Sequence, residues 1–433
     1  MYKKFLAVLM AAAIASATIL TGCSSDGGSS ETSSGNTSET SSEESSEPAS
    51  LNILKAEAQH TPVWEALIEK YQEDHPNVDI EIEAYDNDLW TVLKTRLNSG
   101  ECPDIFTTFP YADTKVYGQY CLDLTGEDFL SEIDSSTMDS VSLDGKVLGV
   151  CLYGDAIGMV YNKDMFDQAG ITELPTTMDE LEAVCKTLAD QGITPISNGY
   201  KEYWVFKDIL VHYLASEEGT PEEVANKLTS GELTFSDMKY VPQVFDYIDL
   251  SLQYGADKPL ETGYTDQVNA IATGKTAMTA QGNWIETEVK AIDPEANLGF
   301  FPIPVGNDPD KSKLMVGPAW AYHIGKDTEY PEAAKDFIGW LVSSEEGKRF
   351  LGEDIGKMPL VKDAPLVGNL NTEAQQYMEE GKTYPLVQYY WPSGGFETAQ
   401  GETFQKYIDG SLTREQCLEQ FTADWQKLVT TAE

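Results

Sequence analysis

Apolar positions along the chain switch between two periods. LNILKAEA (51–58) is continuous and strand-like, and TPVWEALIEKYQEDHP (61–76) then sets Trp64, Leu67, Ile68 and Tyr71 on one helical face. Thr61 stands at the expected N-cap of that helix, with Pro62 at its first position. VDIEIEAY (78–85) alternates as a second strand, DLWTVLKTRLNSG (88–100) reads as a helix ending at Gly100, and PDIFTTF (103–109) as a third strand. This strand–helix–strand order predicts the opening of an α/β domain. GKVLGVCLYGDAIGMVYN (145–162) reads as two short strands around a break at Gly154. Helical periods follow over 176–191, 203–215, 240–254, 264–273 and 283–291. A proline-rich connector (299–313) leads into the apolar MVGPAWAYHI (315–324), then a helix over 331–351 and a turn over 355–364. The last helix carries a stripe of Cys417, Leu418, Phe421, Trp425 and Leu428, and no internal repeat is visible.

The N-terminus sets the compartment. Lys3 and Lys4 precede an apolar run from Phe5 to Leu20, followed by Leu20-Thr21-Gly22-Cys23. This pattern predicts a secretory signal peptide (1–22) ending in a lipobox, with Cys23 acylated and becoming the new N-terminus. Residues 24–50, SSDGGSSETSSGNTSETSSEESSEPAS, hold no large apolar side chain. Such a composition cannot offset the entropy of ordering, so 23–50 is expected to be a lipidated tether with a reach of roughly 30 Å. The protein is thus expected on the extracellular face of the cell membrane, attached through lipid alone.

Charge narrows the partners. The chain carries 29 Lys+Arg against 72 Asp+Glu, a net charge of −43, which repels nucleic acid. Only Arg96, Arg349 and Arg414 offer guanidinium forks, which tilts the ligand toward a neutral molecule. Beyond Cys23, the cysteines at 102, 121, 151, 185 and 417 lack metal-ligand spacing and read mostly as buried apolar residues; a Cys102–Cys121 disulfide is the alternative for that pair. The four histidines are scattered, and no metal or cofactor is expected.

AIATGKTAMTAQGNW (270–284) contains a GKT that suggests a phosphate loop. The position where such a loop needs its first glycine is Asn269, and the preceding residues read as helix, so the nucleotide reading fails. The same stretch resembles the "F..GK.AM...G.W" segment of the extracellular solute-binding proteins of sugar ABC importers, the family that includes maltose-binding protein. SGECPDIFTTF, YPEAAKDFIGWLVSSEEG and MVYNKDMFDQAGITELPTTMDELEAVCKTLADQGITPIS resemble further segments of that family. Leu148 and Cys151 depart from it, standing where its usual Tyr and Pro would be.

The resemblance implies a two-lobed periplasmic-binding-protein-like fold (type II) with hinge strands between the lobes. The N-terminal lobe would comprise 51–155 plus about 321–367, and the C-terminal lobe about 156–320 plus 368–433. It also implies a neutral mono- or oligosaccharide as ligand, ABC permease subunits as partners, and no catalysis. A monomer is expected. Sugar rings want flat apolar partners and directional hydrogen bonds, which Trp, Asp, Glu and Asn supply. By its match to the family, Trp284 would stack on the ligand and Asp155 would take a hydroxyl. Asn283 beside Trp284 is a further hydrogen-bonding candidate. Trp204, Trp320, Trp391 and Glu397 fall where the family or the crossing strands place cleft residues. His60, beside Gln59, and Tyr111 follow strands whose carboxyl ends face the crevice. Trp64, Trp340 and Trp425 lie on apolar helical stripes and are assigned to packing, while Trp90 is left undecided. A tethered glycosidase and a sugar receptor feeding a sensor kinase are the rival functions.

Overall fold

The computed structural model describes residues 48–86 and 88–432; the expected signal peptide, Cys23 and most of the tether lie outside them. Along the first part of the chain, besides a small hairpin of Ser142–Leu143 with Lys146–Val147, the strands are β1 (Ala49–Lys55), β2 (Val78–Ala84), β3 (Ile105–Thr108), β4 (Val150–Cys151) and β5 (Tyr153–Asn162). The later strands are β6 (Thr194–Ile196), β7 (Thr276–Gly282), β8 (Leu298–Phe301), β9 (Leu314–Pro318), β10 (Ala321–Ile324), β11 (Met358–Pro359) and β12 (Thr383–Tyr384).

These strands form two separate sheets. The first runs β2-β1-β3-β10-β4, with β1 parallel to both its neighbours and β10 antiparallel to β3. Alternation along β1 explains its two covered faces. Leu51 and Ile53 pack under the helices Thr61–Asp74 and Pro331–Ser343, while Leu54 faces Leu89, Leu93 and Leu97 of the helix Leu89–Ser99. The second sheet runs β12-β9-β5-β7-β6, with β8 and β11 also pairing to β5, and it anchors its own large apolar core. Trp64 and Trp425 are buried in these cores, as helical stripes demand, and so is Trp90, against Phe109, Tyr117 and Trp320.

The chain passes from one sheet to the other at Leu152, between β4 and β5, and returns at Ala319-Trp320, between β9 and β10. There β5 and β9 run antiparallel, with Asp155 opposite Gly317 and Gly154 opposite Pro318. Gly154 does not break the strand as expected from sequence. A Cβ at that position would lie 3.0 Å from the Gly317 carbonyl oxygen, so glycine is what lets β5 continue against its neighbour.

Other sequence expectations shift for local reasons. β1 starts inside the expected tether, because Ala49 and Ser50 pair with Val78 and Asp79. Thr61 lies inside its helix and donates its hydroxyl back to the Ala58 carbonyl (2.8 Å), since a short 3-10 turn feeds the helix directly. The helix expected over 331–351 stops at Ser343, where the Ser344 hydroxyl accepts from the Gly347 N–H (2.9 Å) and starts a new turn. Helices Pro221–Ser230, Asn369–Glu379 and Gly395–Ile408 escaped the sequence reading. The five described cysteines are free thiols, so Cys102 and Cys121 are not joined.

Candidate functional site

Loops and helix starts that follow strands of both sheets converge on a cavity of about 320 Å³. Ala56, Glu57 and Gln59 enter after β1, Tyr85 and Asp86 after β2, and Trp320 from the return crossing. From the other side come Asp155 on β5, Trp284 after β7, Tyr264 and Thr265 at the start of one helix, and Glu202, Trp204 and Lys207 around the start of another. Glu397 reaches in from the helix Gly395–Ile408.

Flat rings frame this space. Trp204 and Trp284 meet edge to face, with centroids 6.3 Å apart and planes at 66°, and Trp204 meets Tyr264 in the same way at 5.4 Å. Trp320 stacks on Phe109 at 4.7 Å, which holds its indole in place. The Trp284 indole N–H donates to the Gln281 side-chain oxygen (3.0 Å), so that ring is fixed at both its edge and its face. Gly282 makes room for it, since a Cβ there would lie 2.0 Å from the indole.

Buried charge lies behind and between the rings. The Lys357 ammonium pairs with Glu57 Oε1 and with Asp155 Oδ1 (2.6 Å), and its side chain is 1% exposed. Glu57 Oε2 also accepts from the Tyr153 hydroxyl (2.7 Å), which meets the Tyr322 hydroxyl at 2.7 Å. Burial works to raise the Glu57 carboxyl, but Lys357 and His60 outweigh it and hold it well below the usual carboxylate range. Burial pushes Asp155 up against the pull of Lys357, with Glu57 adding to the rise. Lys357 itself would be lowered by burial, yet Asp155 and Glu57 raise it above its ordinary value. One ammonium between two carboxylates thus leaves one acid firmly ionised and the other easier to protonate. A second cluster joins Lys207 to Asp208 (2.9 Å) and, at 4.0 Å, to Glu397. Burial raises Asp208 to about 6 and Glu397 to about 7.

Of the residues singled out from sequence, Trp284, Asp155, Trp204, Trp320 and Glu397 line the cavity. Asn283 does not. Its side chain is wholly buried, accepting from the Ala156 N–H (3.0 Å) and donating to Asn371 Oδ1 (2.7 Å), so it clamps the scaffold beneath Trp284. Trp391 packs edge to face on Phe396 (5.1 Å) inside the core of the second sheet. Tyr111 lies against Tyr389 (5.4 Å) and Tyr390 (5.6 Å) with φ 62°, away from the cavity wall. His60 is buried beside Glu57, with Nδ1 3.8 Å from Oε2, and supports the wall from behind. Sequence reasoning missed Glu57, Tyr85, Asp86, Glu202, Lys207, Tyr264 and Thr265. The rule that singled out His60 also covers Glu57 and Asp86, since both follow strand ends, whereas Lys207 and Lys357 carry no local signal.

The family described as bacterial extracellular solute-binding protein matches residues 57–348, which include most of this wall and both crossings. The chain belongs to that family. Relatives of this solute-binding protein include the multiple sugar-binding protein of Streptococcus mutans, 24% identical over 297 residues, covering 66% of this chain and 70% of the relative. The melibiose/raffinose/stachyose-binding protein MelE of Bacillus subtilis is 21% identical over 294 residues, covering 65% and 67%. Among solved structures, RafE in complex with raffinose superposes with a TM-score of 0.76 at 21% identity, over 88% of this chain and 99% of RafE. A Bacillus licheniformis sugar transporter in complex with stachyose gives 0.77 at 19% identity, over 88% and 100%. The solute-binding protein therefore has the two-lobed α/β fold of those structures.

Proposed function

We propose that this solute-binding protein captures a neutral oligosaccharide in the cavity and delivers it to the permease of an ABC importer, without transforming it. The observation that carries the reading is the composition of the wall. Indole rings (Trp204, Trp284, Trp320) share the wall with hydrogen-bonding carboxylates (Glu57, Asp86, Asp155, Glu202, Glu397), and among the described residues Lys207 is the one cationic side chain lining it. Ring C–H faces pack on the former and hydroxyls donate to the latter, while an anionic solute would be repelled. Relatives named for melibiose, raffinose and stachyose support the same ligand class. Because the wall draws on elements of both sheets, a bound sugar touches both lobes only when they are closed, so binding shifts the protein toward closure. The crossings at Leu152 and Ala319-Trp320 support lobes near 51–155 plus 321–367 and 156–320 plus 368–433, although β11 (Met358–Pro359), within the first of these, pairs with β5 of the second sheet. Acylation at Cys23 would hold the protein at the extracellular face of the membrane, as a monomer.

Calorimetric titration of the purified protein with raffinose, stachyose, maltose, xylobiose and chitobiose tests this reading. Saturable binding of at least one neutral sugar, with no new reducing ends on prolonged incubation, is the expected result. Binding of none, or turnover of any, overturns it.

A further inference from the structure

Lys357 is wholly buried and does not line the cavity, yet it contacts three groups that do. It ion-pairs with Glu57 and with Asp155 (2.6 Å), and its Nζ lies 5.2 Å from the Trp284 ring centroid, with the Tyr153 ring at 5.0 Å. Its backbone adjoins the pairing of Met358 with Gly154 on β5, one residue from Asp155. A single ammonium therefore braces a carboxylate from the first sheet's loops, a carboxylate on the crossing strand, and the principal indole.

We propose that Lys357 is the positioning residue that makes this cavity select an uncharged polyhydroxylated ligand, by holding Glu57 and Asp155 together as paired acceptors beside Trp284. The inference rests on the sugar reading above. Two buried carboxylates brought together without a cation do not both stay ionised, and one takes up a proton. A protonated acid is a poorer acceptor for a ligand hydroxyl, because the bond loses its charge assistance. The same ammonium offsets the negative wall. Without it, Glu57, Asp86, Asp155, Glu202 and Glu397 would be offset by Lys207 on the wall and Lys55 behind Glu57 but by one cation fewer, and a cationic solute would gain on a neutral one. Specificity for neutral hydroxyls is thereby set by a side chain the ligand never touches.

The test compares Lys357→Met and Lys357→Arg with the parent protein, titrated with the tightest-binding neutral sugar of the panel and with a 2-amino-2-deoxy sugar, from pH 5 to pH 8. The groups around Lys357 are Glu57, Asp155, Tyr153 and Lys55; His60 faces Glu57, and Lys207 faces Asp155. Asp208, which faces Asp155 and Lys357, and Glu397 also titrate in this window, so the readout is the difference between variant and parent profiles. Lys357→Met is expected to bind the neutral sugar about 10- to 100-fold more weakly at pH 6, the scale of losing a charge-assisted acceptor. Its deficit should narrow as pH rises and both acids ionise, its preference should shift toward the amino sugar, and Lys357→Arg should restore most of the loss. Should Lys357→Met fail to fold, Lys357→Met/Glu57→Gln removes the repulsion and should fold while still binding the neutral sugar weakly. Parent-like affinity and pH profile in either methionine variant overturn the inference and leave the sugar reading standing. A parent protein that binds no neutral sugar overturns both.

Discussion

Two buried lysines flank the cavity, and they are built differently. Lys207 takes its acid from its sequence neighbour Asp208, on one helix, with Glu397 at 4.0 Å. Lys357 takes both of its acids from afar, Glu57 being 300 residues away in sequence and Asp155 lying on the strand that crosses between sheets. The first cluster has its tight pair on one helix and a relief route, because burial raises Asp208 to about 6 and Glu397 to about 7 and both can accept protons if the ammonium is lost. The second has relief chiefly through Asp155, which burial already pushes up, because His60 and Lys55 still favour an ionised Glu57 once the ammonium is lost. The contrast separates a charge whose tight partner is its sequence neighbour from a charge whose tight partners both come from distant parts of the chain.

Breaking each cluster should therefore cost different amounts. Lys357→Met leaves two buried carboxylates without their cation and should lower unfolding free energy at pH 7 by about 3–5 kcal/mol, the usual cost of removing one partner from a buried pair. Lys207→Met should cost less, about 1–3 kcal/mol, because protonation of its partners offsets part of the loss. Urea unfolding monitored by tryptophan fluorescence measures both, and equal losses would erase the distinction between the clusters.

A smaller effect, on binding rather than folding, falls on the indole that the far-reaching lysine supports. Trp284→Ala should weaken sugar binding by about 1–3 kcal/mol, the scale of burying one large apolar side chain. Trp391 is buried in the same core but does not line the cavity. Trp391→Ala should instead lower stability by about 3–5 kcal/mol and leave affinity nearly unchanged in the folded fraction. Calorimetry and unfolding on the same two variants check the split.

The difference between local and distant construction also governs what was legible in the sequence. The βαβ opening and most helices follow from periodicity, because each is written in adjacent residues, whereas the hinge strands come with the resemblance. Trp284 and Asp155 were within reach because the resemblance fixed their segments. Asn283 was misplaced for a physical reason: its neighbour Trp284 lines the site, but a rotation of one position sends the amide into the core. Trp391 precedes the lining Glu397 by a loop, and its indole packs on Phe396 instead. Lys357 was invisible, since nothing in IGKMPLVKDA announces that its ammonium meets Glu57 and Asp155. Gly154 shows the reverse error, where a glycine taken as a break is the residue that lets two strands meet.

The smallest expected effect, and the one with a sign that changes between the clusters, is the response of the two glutamates to pH. Burial raises Glu397 to about 7 from an ordinary value of 4.5, so the folded state binds its proton more tightly than the unfolded chain does. That preference stabilises the fold below about pH 4.5 and is lost as pH rises through about 7, leaving a buried charge that costs stability. Glu397→Gln should therefore match the parent at pH 4 and exceed its stability by about 1–2 kcal/mol at pH 8, after allowing for the charge that Lys207 offsets. Glu57 is shifted the other way, so its ionised form contributes stability above its ordinary value that is lost as pH falls through the lower folded value. Glu57→Gln should accordingly lose stability at pH 8 and approach the parent in acid. Unfolding midpoints of the two variants at pH 4 and pH 8 should thus move in opposite directions, and a common direction would mean that the two lysine clusters hold their acids in the same way.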